Sequence, residues 1–343
     1  KFMMYEFKEI INQAVINQKK GLKNVLASVV YLEGSSYRKP GVRMLISEDL
    51  NSVGAVSGGC VEKEIIHRAN TVFKDNQPKI ITYDGRYRLG CEGILYILIE
   101  PFFITDDFLK SFLNASSKRE ALKIDSSFKK EDEAFGDFGS VVTFENQQQF
   151  TFSNSFNHQQ KNDVAVFTQI LKPAFKLIII GGEHDAVKLC KIAANLGWEI
   201  EVITSAKDSK ELKDFPGVNS VVGDSPETIQ FKDIEENCAI VIMNHSYVQD
   251  LKYVVKLAES KPKYLGIIGS PKKRERLFNE LFEFAPETTE EFLDCIYSPA
   301  GLHIGAKTPE EIAVSIIAEI LSVINQKEPF SLRKINGKIH SQQ

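Results

Sequence analysis

Apolar positions along the chain change their spacing near residue 172. Before it, short runs rich in Val, Ile, Tyr and Thr, bounded by Gly, Pro and Asp, predict strands at 24–32, 43–47, 79–83, 94–100, 141–144 and 164–168. Two helices accompany them, one over 5–18 and one over 61–75. The second sets Val61, Ile65, Ile66, Ala69 and Val72 on one face at helical spacing. After Pro173 the pattern alternates, with strands at 176–180, 199–204, 239–243 and 264–268 and amphipathic helices near 186–196, 248–260 and 271–284. Gly197 stands where a left-handed helix cap belongs. A last helix opens at Thr308-Pro309-Glu310-Glu311: Thr308 caps, Pro309 suits the first helical position and Glu311 completes the capping box.

This pattern predicts an α/β chain: an N-terminal α+β domain over 1–172, then a Rossmann-like, doubly wound domain with a mostly parallel sheet over 173–327, and a polar tail over 328–343. Within the first domain, 105–163 is polar and weakly patterned, charged at 116–133 and rich in Gln and Asn at 146–162. It reads as a surface insertion or a solvated hairpin.

Composition narrows the function classes. A chain of 343 residues with 43% hydrophobic and 26% charged residues is globular and long enough for two cores. Its 42 Lys+Arg against 46 Asp+Glu lack the basic excess of a nucleic-acid binder. The longest apolar stretches are interrupted by Glu100, Pro101 and Glu319, short of the roughly 18 residues a membrane span requires. The first helical stretch mixes Glu, Lys, Asn and Gln with its apolar residues, so it reads as a domain helix rather than a signal sequence, and the expected address is the cytoplasm. Cys60, Cys91, Cys190, Cys238 and Cys295 form no CxxC pair, which points away from a disulfide framework or a paired-spacing zinc site. Cys190 and Cys238 are expected in the core.

Four segments carry candidate chemistry. In Gly34–Met44, a Gly- and Pro-shaped turn is surrounded by Arg38, Lys39 and Arg43, and guanidinium suits planar anions such as phosphate. Ser57-Gly58-Gly59-Cys60-Val61-Glu62 leads into the second helix; its glycines expose backbone N–H groups, and the positive helix end favours a Cys60 thiolate, which Glu62 and Glu64 oppose. Leu89-Gly90-Cys91-Glu92-Gly93 repeats the glycine–cysteine theme before a strand, so the two thiols meet if that strand lies beside the Cys60 turn. A zinc site from Cys60, Cys91 and His67 lacks a fourth ligand. Ile180-Gly181-Gly182-Glu183-His184 has the strand-to-helix setting of a dinucleotide loop, but Glu183 occupies the position where a glycine lets pyrophosphate approach. The next strand ends in Thr204-Ser205, without a carboxylate for a ribose diol, so NAD(P) is not expected.

Taken in order, these segments resemble the xanthine dehydrogenase accessory protein family (XdhC/CoxI). Gly34, Ser35, Arg38, Pro40, Gly41, Arg43 and Met44 match its first segment, Ser57–Glu62 its S-G-G-C-V-E, and Gly90, Cys91 and Gly93 its G-C-x-G. Gly269-Ser270-Pro271-Lys272-Lys273-Arg274 is similar to its G-S-x-x-K-R turn. The run from Pro299 through Gly301-Leu302-His303-Ile304-Gly305-Ala306-Lys307-Thr308-Pro309-Glu310-Glu311-Ile312-Ala313 is similar to its longest signature. The family's T-H-x-x-x-D segment appears as Asn244-His245, with Asp250 further along. The resemblance implies a cofactor-binding chaperone, rather than a catalyst, that matures molybdenum hydroxylases. It would bind the molybdenum cofactor, protect it during sulfuration and deliver it to the apo-enzyme. Arg38, Arg43, Gly58, Gly59, Gly181 and Gly182 would then be cofactor-binding residues, and Cys60 and Cys91 molybdenum contacts. Implied partners are the apo-hydroxylase and a cysteine desulfurase, with a homodimer as the common symmetric assembly. An NAD(P)-dependent oxidoreductase and a scaffold that has lost its ligand remain the alternatives.

Overall fold

The structure, a computed structural model, describes residues 4–34, 39–56, 60–84, 93–154, 156, 164–208, 210–231, 234, 237–260 and 262–335. They divide into two compact units, Lys1–Ala174 and Phe175–Gln343.

The first unit opens with α1 (Met4–Lys19), then β1 (Asn24–Gly34), β2 (Arg43–Ser47), β3 (Ser52–Gly54), α2 (Cys60–Asp75), β4 (Lys79–Asp84) and β5 (Gly93–Pro101). These strands form an antiparallel sheet in the order β3-β2-β1-β5-β4. Strand geometry sends alternate side chains to opposite faces. Ala27 and Val29 of β1, Met44 and Ile46 of β2 and Ile97 and Ile99 of β5 therefore pack against Val61, Ile65, Ala69 and Val72 of α2. The α2 stripe matches the spacing read from the sequence.

The expected surface insertion at 105–163 is corrected. Its described residues supply α3 (Asp106–Ser117), β6 (Leu122–Phe128), β7 (Gly139–Thr143) and β8 (Gln149–Thr151), and with β9 (Ala165–Leu171) the strands form a second antiparallel sheet, β8-β7-β6-β9. Thr105 caps α3 by accepting from Phe108 N at 3.1 Å. Phe108, Phe112, Leu122, Ile124, Val142, Phe144 and Phe152 then join Phe7, Ile11, Leu26, Leu45 and Phe102 in one core. Lys123 and Asp125 alternate with Leu122 and Ile124 in β6, so a strand buried on one face reads as polar when composition is averaged along it.

The second unit runs β10 (Lys176–Ile180), α4 (His184–Asn195), β11 (Glu199–Ser205), β12 (Ser220–Asp224), β13 (Cys238–Ile242), α5 (Tyr247–Leu257), β14 (Tyr264–Ile267), α6 (Pro271–Phe284), α7 (Glu290–Asp294), β15 (Ile296–Tyr297) and α8 (Pro309–Ile324). The described sheet is parallel throughout, in the order β12-β11-β10-β13-β14-β15. Numbered within the unit this is 3-2-1-4-5-6, the dinucleotide-fold order, whose reversal between β10 and β13 opens a crevice at the carboxyl ends of the strands. Leu177–Ile180 and the whole of β13 are buried, as in a parallel sheet covered on both faces. Leu251, Val254 and Leu257 of α5 and Leu277 and Leu281 of α6 share a core with Ile178, Ile180, Ile240, Ile242 and Ile267. Cys190 and Cys238 are buried, as expected.

Candidate functional site

In the first unit, the glycine–cysteine reading rests on where α2 starts. Cys60 is the first residue of this 16-residue helix. The opening N–H groups of a helix have no partner within it and carry positive partial charge, which favours a thiolate there. Glu62, in the first turn, opposes that shift. Arg38, Gly58, Gly59 and Cys91 and the Cys60 side chain lie outside the described residues, as does any meeting of the two thiols. Among the described residues no group of three His, Cys, Asp or Glu is arranged to hold a metal ion.

The expectation that Arg43 lends its guanidinium to the basic turn is corrected. On β2 its parity is that of Leu45, so it points away from α2 and is only 6% exposed. Arg43 Nη1 donates to Gly41 O at 3.0 Å and to Gln169 Oε1, and the guanidinium lies 5.8 Å from the Phe7 ring centroid. Its Nε and Nη2 have no hydrogen-bond partner.

Around Arg43 the structure assembles a polar layer inside the unit. Ser28, opposite Arg43 in the β1–β2 register, is buried with its hydroxyl unpartnered. Glu100 of β5 is 0% exposed. Ser140 N donates to its Oε2 at 2.8 Å, Ser140 Oγ lies 2.6 Å from its Oε1, and Ser126 Oγ lies 2.7 Å from Ser140 Oγ. This layer separates two apolar clusters. Leu26, Ser28 and Val30 of β1 point the same way, with Leu26 in one cluster and Val30 in the other; Ile124, Ser126 and Phe128 repeat the arrangement on β6. Burial lowers the pKa of Arg43 to about 10 against the opposing pull of Glu100. Burial likewise raises Glu100 to about 7, against the Ser140 hydrogen bonds and the field of Arg43. Sequence reading missed Glu100, although its signal was present: it shares strand parity with Leu98 in a run of apolar residues.

In the second unit, the crevice is lined by Gly181 and Gly182. Gly181 has φ 133°, and a Cβ there would stand 2.8 Å from Met243 O. A Cβ on Gly182 would meet Thr204 Cγ2 at 3.1 Å. Both glycines are thus accounted for by close approach of β13 and β11. Glu183 caps α4 without a side-chain hydrogen bond, and Asp185 follows in the first turn. Two carboxylates at this helix end oppose a pyrophosphate.

Two family-like segments meet beside this crevice. Lys273 of the Gly269–Arg274 turn pairs with buried Asp250 and donates to Ile268 O at 2.7 Å. Burial raises the Asp250 pKa, while Lys273 pulls it down. A Cβ on Gly269 would lie 2.5 Å from Lys273 Cδ, so glycine makes room for this lysine. The long signature is largely a clamp on α8. Tyr264 Oη and Gly301 N both donate to Glu319 Oε2, at 2.6 and 2.8 Å, and Ser315 Oγ donates to Leu302 O at 2.6 Å. The Thr308–Glu311 capping box is present as expected.

Known proteins resemble the chain in both units. The XdhC and CoxI family model matches residues 18–84, and the XdhC Rossmann domain model matches 177–320. A Bacillus subtilis (strain 168) protein named as a probable xanthine dehydrogenase subunit is 29% identical over 317 residues, covering 87% of this chain and 92% of that protein. The Escherichia coli (strain K12) molybdenum cofactor insertion chaperone PaoD is 24% identical over 338 residues, covering 95% and 92%. A crystal structure described as a xanthine dehydrogenase from Bacillus halodurans superposes with a TM-score of 0.74 at 26% identity, covering 93% of this chain and 96% of that one. With a family match in each unit and relatives aligned along nearly its whole length, the chain belongs to the XdhC and CoxI family.

Proposed function

We propose that this chain is an accessory protein of a molybdenum hydroxylase: it binds the molybdenum cofactor and passes it, after sulfuration, to the apo-enzyme. The observation that carries this reading is near full-length similarity to a protein named as a molybdenum cofactor insertion chaperone. The start of α2 at Cys60 supports it, because a thiolate at a helix N-terminus is a donor suited to a soft metal centre and the adjacent amides suit an anion. The buried, internally bonded Arg43 is left out of the ligand set, and Arg38 of the turn takes the phosphate-holding role. When bound, the cofactor supplies the metal centre that the client enzyme uses; this chain's residues hold it and shield it from water. The strand order is that of a dinucleotide fold, but Glu183 and Asp185 weigh against an oxidoreductase reading.

The test is expression in a molybdopterin-producing host, followed by oxidation of the purified protein and fluorescence detection of released pterin. Pterin is expected in the wild type and reduced at least severalfold in Cys60→Ser and Cys91→Ser. Undiminished pterin in both variants removes the thiols from the site, and pterin-free wild type sinks the function.

A further inference from the structure

The polar layer of the first unit holds a carboxyl and a guanidinium that share no hydrogen bond. Glu100 is sealed from solvent, and its hydrogen bonds run to Ser140 N and Oγ. Arg43 is the one charged group whose field reaches it among the described residues. Yet Arg43 spends its Nη1 donors on two neutral acceptors, Gly41 O and Gln169 Oε1, and leaves its Nε–Nη2 edge unpartnered. That edge offers two parallel N–H donors, the fork that pairs bidentately with a carboxylate. An ionised carboxylate within its field would be drawn to it. A neutral acid has no such pull and is better served by a hydroxyl that accepts its proton.

We propose that Glu100 is a neutral acid donating to Ser140 Oγ, and that loss of its proton switches its partner from Ser140 on β7 to the free edge of Arg43 on β2. In the first state Ser140 Oγ passes its own hydrogen to Ser126 Oγ, so the chain Glu100–Ser140–Ser126 joins the two sheets. In the second the proton has gone to solvent base, the carboxylate bonds Arg43 within one sheet, and Ser140 N–H loses its acceptor. The junction between the sheets is thereby loosened by a rise in pH. Arg43 stays protonated throughout, since its own pKa, though lowered, lies near 10. This element is part of the unit's architecture and operates whether or not a cofactor binds.

Carbon-13 NMR of the full chain, labelled at glutamate side-chain carboxyls, tests it. One glutamate is expected to titrate near pH 7 rather than in the ordinary range near 4.5, and the Ser140 amide resonance is expected to shift with the same midpoint. The anomalous resonance disappears in Glu100→Gln. In Ser140→Ala, which removes the hydroxyl that accepts from the neutral acid, the midpoint moves lower; this measurement needs no folded Glu100 variant. Titration of Glu100 in the ordinary range, or a Ser140 amide indifferent to it, overturns the proposal.

Discussion

At the scale of single residues, backbone proximity explains positions that composition alone reads as chemistry. Gly181 was readable as a phosphate-loop glycine, yet its φ of 133° and the 2.8 Å that would separate a Cβ from Met243 O make it a packing requirement. Gly181→Ala is therefore expected to destabilise the second unit by about 2–3 kcal/mol, measured by denaturant unfolding. Arg43 shows the reverse. Its cationic side chain suggested a surface anion site because it follows a basic turn, and only the parity of β2 sends it inward. The sign of Glu100's contribution follows from its raised pKa. The folded state holds the proton more tightly than the unfolded chain, so stability from this group is greatest below about 4.5 and declines as pH rises to about 7.

At the scale of elements, the ion pair between Lys273 of α6 and Asp250 of α5 joins two helices that share a core with the sheet. Removing one partner strands a buried charge, whereas removing both does not. Lys273→Met is expected to cost about 3–5 kcal/mol. The double variant Lys273→Met/Asp250→Leu should recover a large part of that loss, and a four-corner denaturation cycle measures the coupling. Equal losses in single and double variants would contradict the pairing. Elements with a strong period were legible beforehand: α2, α6 and the start of α8 fall within a residue of their expected limits, and β2 falls on them. In the polar middle the strand expected at 141–144 is β7, whereas α3, β6 and β8 were not foreseen. The inward positions of β6 include Ser126 beside Leu122 and Ile124, which blurs the apolar alternation, and the aromatic partners of α3 come from distant segments.

At the scale of the whole molecule, each unit has its own apolar core. Residues 175–335 expressed alone are expected to unfold in one cooperative transition, read by circular dichroism; a gradual, non-cooperative melt would show that this core is incomplete. No described helix is long and apolar enough to cross a membrane. The order of local patterns was sufficient to specify a first α+β unit and a second unit with a parallel sheet, because periodicity and the chirality of strand–helix–strand connections leave few alternatives. The family was legible too, since its motifs are contiguous strings that need no folding to be seen. Tertiary structure alone decided what the buried charges meet. The layer of Arg43, Glu100, Ser140 and Gln169 joins residues up to 126 positions apart, and Asp250 finds Lys273 across 23. Local sequence sets which face of a strand or helix a side chain takes, but only the packing of remote elements determines what lies opposite that face.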